Sequence, residues 1–249
     1  MTTLEDGAPR LRVALVTGAN KGIGRAIASG LAREGFVVYL GARDEARGRV
    51  AAQQLDGDIR PVVLDVTSPH DVEAAVTRIA GDFGYLDALV NNAGIHAAAR
   101  HTDSGGLPRP DEETPEDFRL VYETNVFAVV RMTNAFLPLL RAARAGRIVN
   151  VTSMRGSISE EGAWVGQPSM SYSSSKTALN AITVHYAREL ADTKIKVNGA
   201  APGHVATDFN GFRGRLTPEQ GAAVAIRLAT LGPDGPTGTV YEGDRQLAW

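Results

Sequence analysis

Tyr172 and Lys176 stand four residues apart in the run Tyr172-Ser173-Ser174-Ser175-Lys176. On a helix that spacing places a phenol and an ammonium on one face. A tyrosine titrating near its ordinary value of about 10 is a poor acid-base catalyst at neutral pH, and a neighbouring ammonium lowers that value by favouring the phenolate. Taken alone, the pair equally describes a surface contact. A second motif lies near the N-terminus, where Thr17-Gly18-Ala19-Asn20-Lys21-Gly22-Ile23-Gly24 follows a short apolar run and opens a helical pattern. Its glycines let the backbone turn sharply and approach a pyrophosphate, whose charge the helix N-terminus stabilises. A strand-to-helix turn also uses glycine for steric reasons alone. About 20 residues further on, where an NAD site offers a carboxylate to the ribose 2′-hydroxyl, stand Ala42 and Arg43. A guanidinium there, with Lys21 as a second cation, suits the 2′-phosphate of NADPH, which a carboxylate would repel. The alternatives are an ordinary surface Arg43, or an Asp44 that turns inward and reverses the preference.

Six short apolar runs punctuate the chain: Val13 to Val16, Val37 to Leu40, Val62 to Leu64, Ala88 to Val90, Ile148 to Val151 and Ile195 to Val197. Longer amphipathic stretches separate them, the rhythm of a parallel sheet covered on both faces by crossover helices. The helices are expected at Gly22–Glu34, Asp44–Gln54, Ser68–Phe83, Pro115–Ala145, Ser171–Ala191 and Thr217–Thr230, with a kink or early end at Pro138 in the fourth. Arg100–Asp111 and Ser157–Ser169 read as surface loops. With no repeat and no linker, residues 1–249 form one α/β domain, a doubly wound parallel sheet with helices on both faces, and residues 1–10 are a flexible N-terminus. The ligand crevice belongs at the carboxyl edge of the strands.

Composition narrows the chemistry. A chain that is 43% hydrophobic and 22% charged, with a formal net charge of −2, has no electrostatic footprint for nucleic acid or an anionic membrane. The absence of cysteine removes disulfides, thiolate catalysis and cysteine metal sites. The histidines, His70, His96, His101, His185 and His204, are too scattered for the zinc site of a zinc alcohol dehydrogenase. The apolar run Val13 to Val16 is too short for a signal segment or a membrane span, so a cytoplasmic location is the default expectation.

The ordered series of Thr17-Gly18, Asn91-Asn92-Ala93-Gly94, Tyr172 to Lys176 and Pro202-Gly203 resembles the short-chain dehydrogenase/reductase family over nearly the whole chain. The resemblance implies a Rossmann-type sheet and a catalytic set mapping to Asn125 in Thr124-Asn125-Val126, Ser153 beyond the fifth apolar run, Tyr172 and Lys176. It implies that Ser153 binds the substrate carbonyl, Tyr172 protonates its oxygen, Lys176 lowers the tyrosine pKa and holds the nicotinamide ribose, and Asn125 supports a water that feeds protons to the lysine. A strand-end hydroxyl and a helix amide bonded to backbone are the plainer readings of Ser153 and Asn125. Cofactor contacts carried over from the family are Gly18, Asn20, Lys21, Gly22, Ile23, Gly24, Arg43, Asp65-Val66 at the end of the third strand, Asn92, Ala93, Gly94, Tyr172, Lys176, Pro202 and Gly203, with Val205 and Thr207 at the carboxamide. Asn91 alternatively bonds across adjacent strands, and His204 reads as a loop residue.

Within the family, Arg12 to Gly24 and Ala42-Arg43-Asp44 look most like NADPH-dependent carbonyl reductases, and the C-terminus lacks the Asp-Gly-Gly ending common among acyl-carrier-protein reductases. The implied activity is NADP(H)-dependent reduction of a small ketone or aldehyde, with pocket walls from Ile95–His101, Arg155–Met170 and Phe209–Arg215. The 18 residues between Ser153 and Tyr172 represent only part of the insertion found in monomeric carbonyl reductases, and the family's pairing of two long helices across a two-fold axis implies a homo-oligomer, dimer or tetramer. Two rival functions remain at this stage. One is reduction of a carrier-bound 3-oxoacyl or polyketide ketone, for which Arg141, Arg144 and Arg147 would form a basic patch at the cleft mouth. The other is NADPH sensing without turnover.

Overall fold

The computed structural model describes residues 10–99, 108–166 and 168–249. Expectations for residues 1–9 and 100–107 lie outside these. Eight strands form one sheet: β1 Arg12–Val16, β2 Phe36–Ala42, β3 Ile59–Val63, β4 Ala88–Asn91, β5 Arg147–Val151, β6 Lys196–Ala201, β7 Val240–Glu242 and β8 Arg245–Gln246. Their spatial order is β3-β2-β1-β4-β5-β6-β7-β8, with β1 to β7 parallel and β8 antiparallel to β7. The order reverses between β1 and β4, and there the strand ends open a crevice. The helices are α1 Gly22–Arg33, α2 Glu45–Gln53, α3 Pro69–Asp82, α4 Pro115–Tyr122, α5 Ala128–Ala142, α6 Met170–Glu189 and α7 Pro218–Ala229.

Side chains alternate across the strands and divide the core into two layers. Ala14, Val16, Val38, Leu40, Val149 and Val151 pack with α1, α2 and α7. Val13, Leu15, Tyr39, Leu89, Ile148 and Val197 face α3, α5 and α6. Nothing in the described residues forms a helix long and apolar enough to cross a membrane.

The structure corrects three expectations. The single helix expected over Pro115–Ala145 is two helices joined by a π turn at Glu123–Phe127. Pro138 does not end α5, which runs on to Ala142; the interruption falls where Asn125 must reach the crevice. The third strand stops at Val63, so Asp65 and Val66 sit beyond it in the following turn. Strands β7 and β8, three and two residues long, are too short to display an apolar period, and the fold finds them by pairing with β6.

Two glycines in helices make opposite demands. A Cβ on Gly24 would lie 2.5 Å from the Gly18 carbonyl oxygen and 2.4 Å from Asn92 Nδ2, whereas a Cβ on Gly81 in α3 meets nothing within 4 Å. Gly81→Ala should therefore stabilise the protein by about 0.5–1 kcal/mol, since glycine costs that much in a helix interior. Gly24→Ala should destabilise it by about 1–3 kcal/mol through overpacking. Urea unfolding of both variants is the check; equal midpoints would contradict the packing of the glycine loop.

Candidate active site

The crevice is built first from one hydroxyl. Thr17 is buried at the end of β1, and its Oγ1 accepts from the main-chain N–H of Asn92 and of Ala93, both at 2.9 Å. The Asn92 side-chain amide donates to the carbonyls of Thr17 at 2.8 Å and Gly18 at 3.2 Å. The loops after β1 and β4 are thereby locked together. Gly18 and Gly22 have φ of +61° and +54°, a region disfavoured for side-chain-bearing residues. A Cβ on Gly18 would stand 3.0 Å from the Cα of Ala93. The result is a cradle of main chain at the N-terminus of α1, open to a group that needs backbone donors and no side-chain bulk, and it fits a dinucleotide pyrophosphate.

Helix α6 brings the chemistry to that cradle. Its N-terminal N–H groups at Met170 and Ser171 donate to the carboxylate of Glu113, which precedes α4. Tyr172 and Lys176 follow on one face, with the Lys176 ammonium 5.7 Å from the Tyr172 ring centre. Ser153 lies two residues past β5, where its Oγ accepts from Arg155 N at 3.2 Å and it stands near enough to the Tyr172 phenol to influence its titration. Burial pushes the phenol above its ordinary value, while Ser153 and then the Arg155 guanidinium draw it down; burial prevails. The shift is thus upward, set by burial, rather than the lowering expected from Lys176. Burial also lowers the Lys176 ammonium to about 8. Lys176 Nζ donates to the Val151 carbonyl at 2.8 Å, which leaves two of its three donors for a ligand.

Asn125 sits in the π turn, fully buried. Its Oδ1 accepts from Ile95 N at 2.9 Å, and its Nδ2 donates to Ile95 O at 2.9 Å and Ser175 Oγ at 3.0 Å. These bonds make it a clamp on the segment after β4. A Cβ on Gly94 would lie 3.3 Å from Asn125 Oδ1 and 3.5 Å from Lys176 Nζ, so the absence of a side chain at Gly94 keeps the path between them open.

The remaining predicted positions divide. Arg43 is exposed and, among the described residues, its side chain has no hydrogen bond or ion pair, whereas Asp44 is the N-cap of α2, its carboxylate accepting from Arg47 N at 2.9 Å. Lys21 is elsewhere engaged: its ammonium pairs with Asp208 at 2.8 Å. Asn20 is half-buried in the loop, and Ile23 packs its side chain into the core. Asp65 Oδ1 accepts from the N–H and hydroxyl of Thr67, and Val66 is buried. Gly203, next to Pro202, has φ of +77°. Val205 is buried with its side chain against Gly221 of α7, and Thr207 is buried beside Gly22. Asn91 bonds across to Asn150 of β5 at 2.9 Å, the structural alternative, and His204 is exposed.

Two pocket walls meet over Tyr172. The Phe209 ring lies 5.5 Å from the Tyr172 ring and 4.4 Å from that of His96, whose Nε2 bonds to the Phe209 carbonyl at 2.7 Å. The basic patch expected at the cleft mouth is elsewhere. Arg147 opens β5 and Arg141 and Arg144 precede it, so all three belong to the amino edge of the sheet, opposite Ser153. Glu113, Asp208 and Ser175 were not singled out from the sequence, because each meets its partner through the fold rather than through a local motif.

Comparison with known proteins agrees with this architecture. The family described as short chain dehydrogenase matches residues 12–215. The short-chain dehydrogenase anuI of Penicillium roqueforti is 39% identical, with 88% of each chain covered. The 3-oxoacyl-(acyl-carrier-protein) reductase FabG of Vibrio cholerae is 36% identical over 80% of this chain and 75% of its own. Among solved structures, the NADPH-bound carbonyl reductase from chicken fatty liver superposes with a TM-score of 0.83 at 28% identity, covering 97% of this chain and all of that one. With the family model matching residues 12–215 and the fold shared with a solved carbonyl reductase over nearly the whole chain, this chain belongs to the short chain dehydrogenase family of oxidoreductases.

Proposed function

We propose that the protein reduces a ketone or aldehyde with NADPH, in the manner of a carbonyl reductase. The observation that carries this reading is geometric: Tyr172, with Ser153 close by and the buried Lys176 ammonium 5.7 Å from its ring, stands beside a glycine cradle, with exposed Arg43 following the second strand. When bound, the cofactor supplies the hydride. Ser153 orients the carbonyl oxygen, and Tyr172 Oη gives that oxygen its proton as negative charge develops there. Lys176 steadies the phenolate that remains and directs its free N–H groups to the nicotinamide ribose. Asn125 positions Ile95 and, through it, the His96 wall. Arg43 holds the 2′-phosphate.

The set of arginines expected to receive a carrier protein lies at the opposite edge, which favours free ketones over carrier-bound acyl groups; turnover of acyl-thioesters alone would reverse that choice. Measurable reduction of any carbonyl separates the enzyme from an NADPH sensor. A cytoplasmic homo-oligomer is the setting this reading favours, and Phe127, 53% exposed at the start of α5, is available to a partner subunit.

Three outcomes test the reading. Tyr172→Phe should lower kcat by at least about 10²-fold, the lower range for general acid catalysis, with the NADPH dissociation constant unchanged; near-normal turnover would remove the tyrosine from the mechanism. Arg43→Ala should weaken NADPH by roughly 10- to 150-fold, the equivalent of one charge-assisted contact, and leave NADH alone; equal loss of both would place the 2′-phosphate elsewhere. The third concerns pH. Lys176 releases its proton near 8 in the folded protein and near its ordinary 10.5 when unfolded, so between these values the unfolded chain binds more protons. Stability of the cofactor-free protein should rise with pH across that window, by up to about 3 kcal/mol. Lys176→Met should flatten the rise, as read by denaturant unfolding at a series of pH values.

A further inference from the structure

At the amino edge of the sheet, remote from the crevice, lies a cavity of about 330 Å³ lined by Arg10, Arg12, Arg144, Arg147, Asp87 and Phe36, together with the chain leaving α7. Four guanidinium groups thus surround one carboxylate. Among the described residues none of the four has a carboxylate at ion-pair distance. Asp87, whose Oδ2 also accepts from Val13 N at 2.8 Å, can offset only one of the four positive charges. Burial raises its pKa despite the downward pull of Arg10, Arg12 and Arg144.

The arginines also differ in depth. Arg147 forms the floor, 3% exposed, donating to the carbonyls of Gly146, Lys194, Leu231 and Gly232 at 2.7–3.1 Å. Its charge is met mainly by carbonyl dipoles, a costly arrangement for a buried ion, those of Leu231 and Gly232 lying just beyond α7. Arg12 and Arg144 stand exposed at the rim. Arg10 lies over the Tyr85 ring with Nε and Nη2 buried and without a hydrogen-bond partner. Arg12 donates to the Glu34 carbonyl and lies over the Phe36 ring, but the free donors of Arg10 and Arg144, the excess of positive charge and the apolar Leu11 at the wall match a phosphoryl group carrying a small organic body. The volume lies at the lower end of the range for small-molecule sites, roughly 300–1,000 Å³.

We propose that this cavity is a second ligand site, specific for a phosphoryl anion and separate from the cofactor crevice. The test is calorimetric titration of the NADPH-saturated full chain at constant ionic strength, with inorganic phosphate and phenyl phosphate as probes. The wild type should bind at least one of them, and Arg144→Gln and Arg10→Gln should each weaken it by about 10-fold or more, the loss of one charge-assisted contact. Both variants should turn over a ketone at the wild-type rate, since neither residue reaches the crevice; this also shows that they fold. Tighter binding of phenyl phosphate assigns the natural ligand to organic phosphates, and equal binding assigns it to an inorganic oxyanion. No heat from either probe with the wild type, or equal affinity in wild type and both variants, overturns the site.

Discussion

The geometry of the site depends on how α6 is fastened to β5. Along the strand, Ile148, Asn150 and Thr152 point to the helix while Val149 and Val151 point away, as a two-residue period requires. Asn150 Nδ2 donates to Thr183 Oγ1 at 2.9 Å and Thr152 Oγ1 donates to Asn180 Oδ1 at 2.7 Å, both buried. The Lys176 bond to Val151 adds a third link. Inside a core each such group is expensive to leave unmatched, so helix and strand have one permitted register. That register brings Ser153, just past the strand, to Tyr172, in the first turn of the helix. The proximity of Ser153 and Tyr172 is a by-product of satisfying buried polar atoms.

The same face of α6 therefore carries two kinds of residue. Tyr172 and Lys176 face the crevice, and Asn180 and Thr183 continue the line one and two turns later to hold the helix in place. Asn91 extends the network to β4, next to the Asn92 that secures the glycine loop. The glycine loop and Tyr172 are thus coupled through adjacent strands rather than through a ligand.

Local signals made much of this legible. The apolar runs marked six of the eight strands, and the glycine loop, Asn91 and the Tyr172–Lys176 pair were readable because each shows its role within a few residues. What escaped is long-range. Glu113 reaches α6 across 57 and 58 residues, and Asp208 meets Lys21 only because the loop after β6 folds back over the crevice. The same limit explains the misplaced basic patch: a run of arginines before a strand looks identical whichever edge of the sheet it occupies, and only strand direction distinguishes them. The direction of the Tyr172 shift was also hidden, because it is set by burial and not by spacing.

The π turn at Glu123–Phe127 has a consequence for how this chain can vary. One extra residue in a turn rotates everything after it by about 100° relative to a regular helix. The buried stripe of α4, with Asp117 and Val121, and that of α5, with Val129, Met132 and Phe136, are therefore out of phase, and each is matched to its own neighbours. Removing a single residue between Tyr122 and Ala128 would restore an unbroken helix and better backbone hydrogen bonding. It would also swing one of the two stripes out of the core and take Asn125 from Ile95. The insertion is a phase marker in the chain: a change of length here shifts every residue after it, whereas a substitution acts only at its own position.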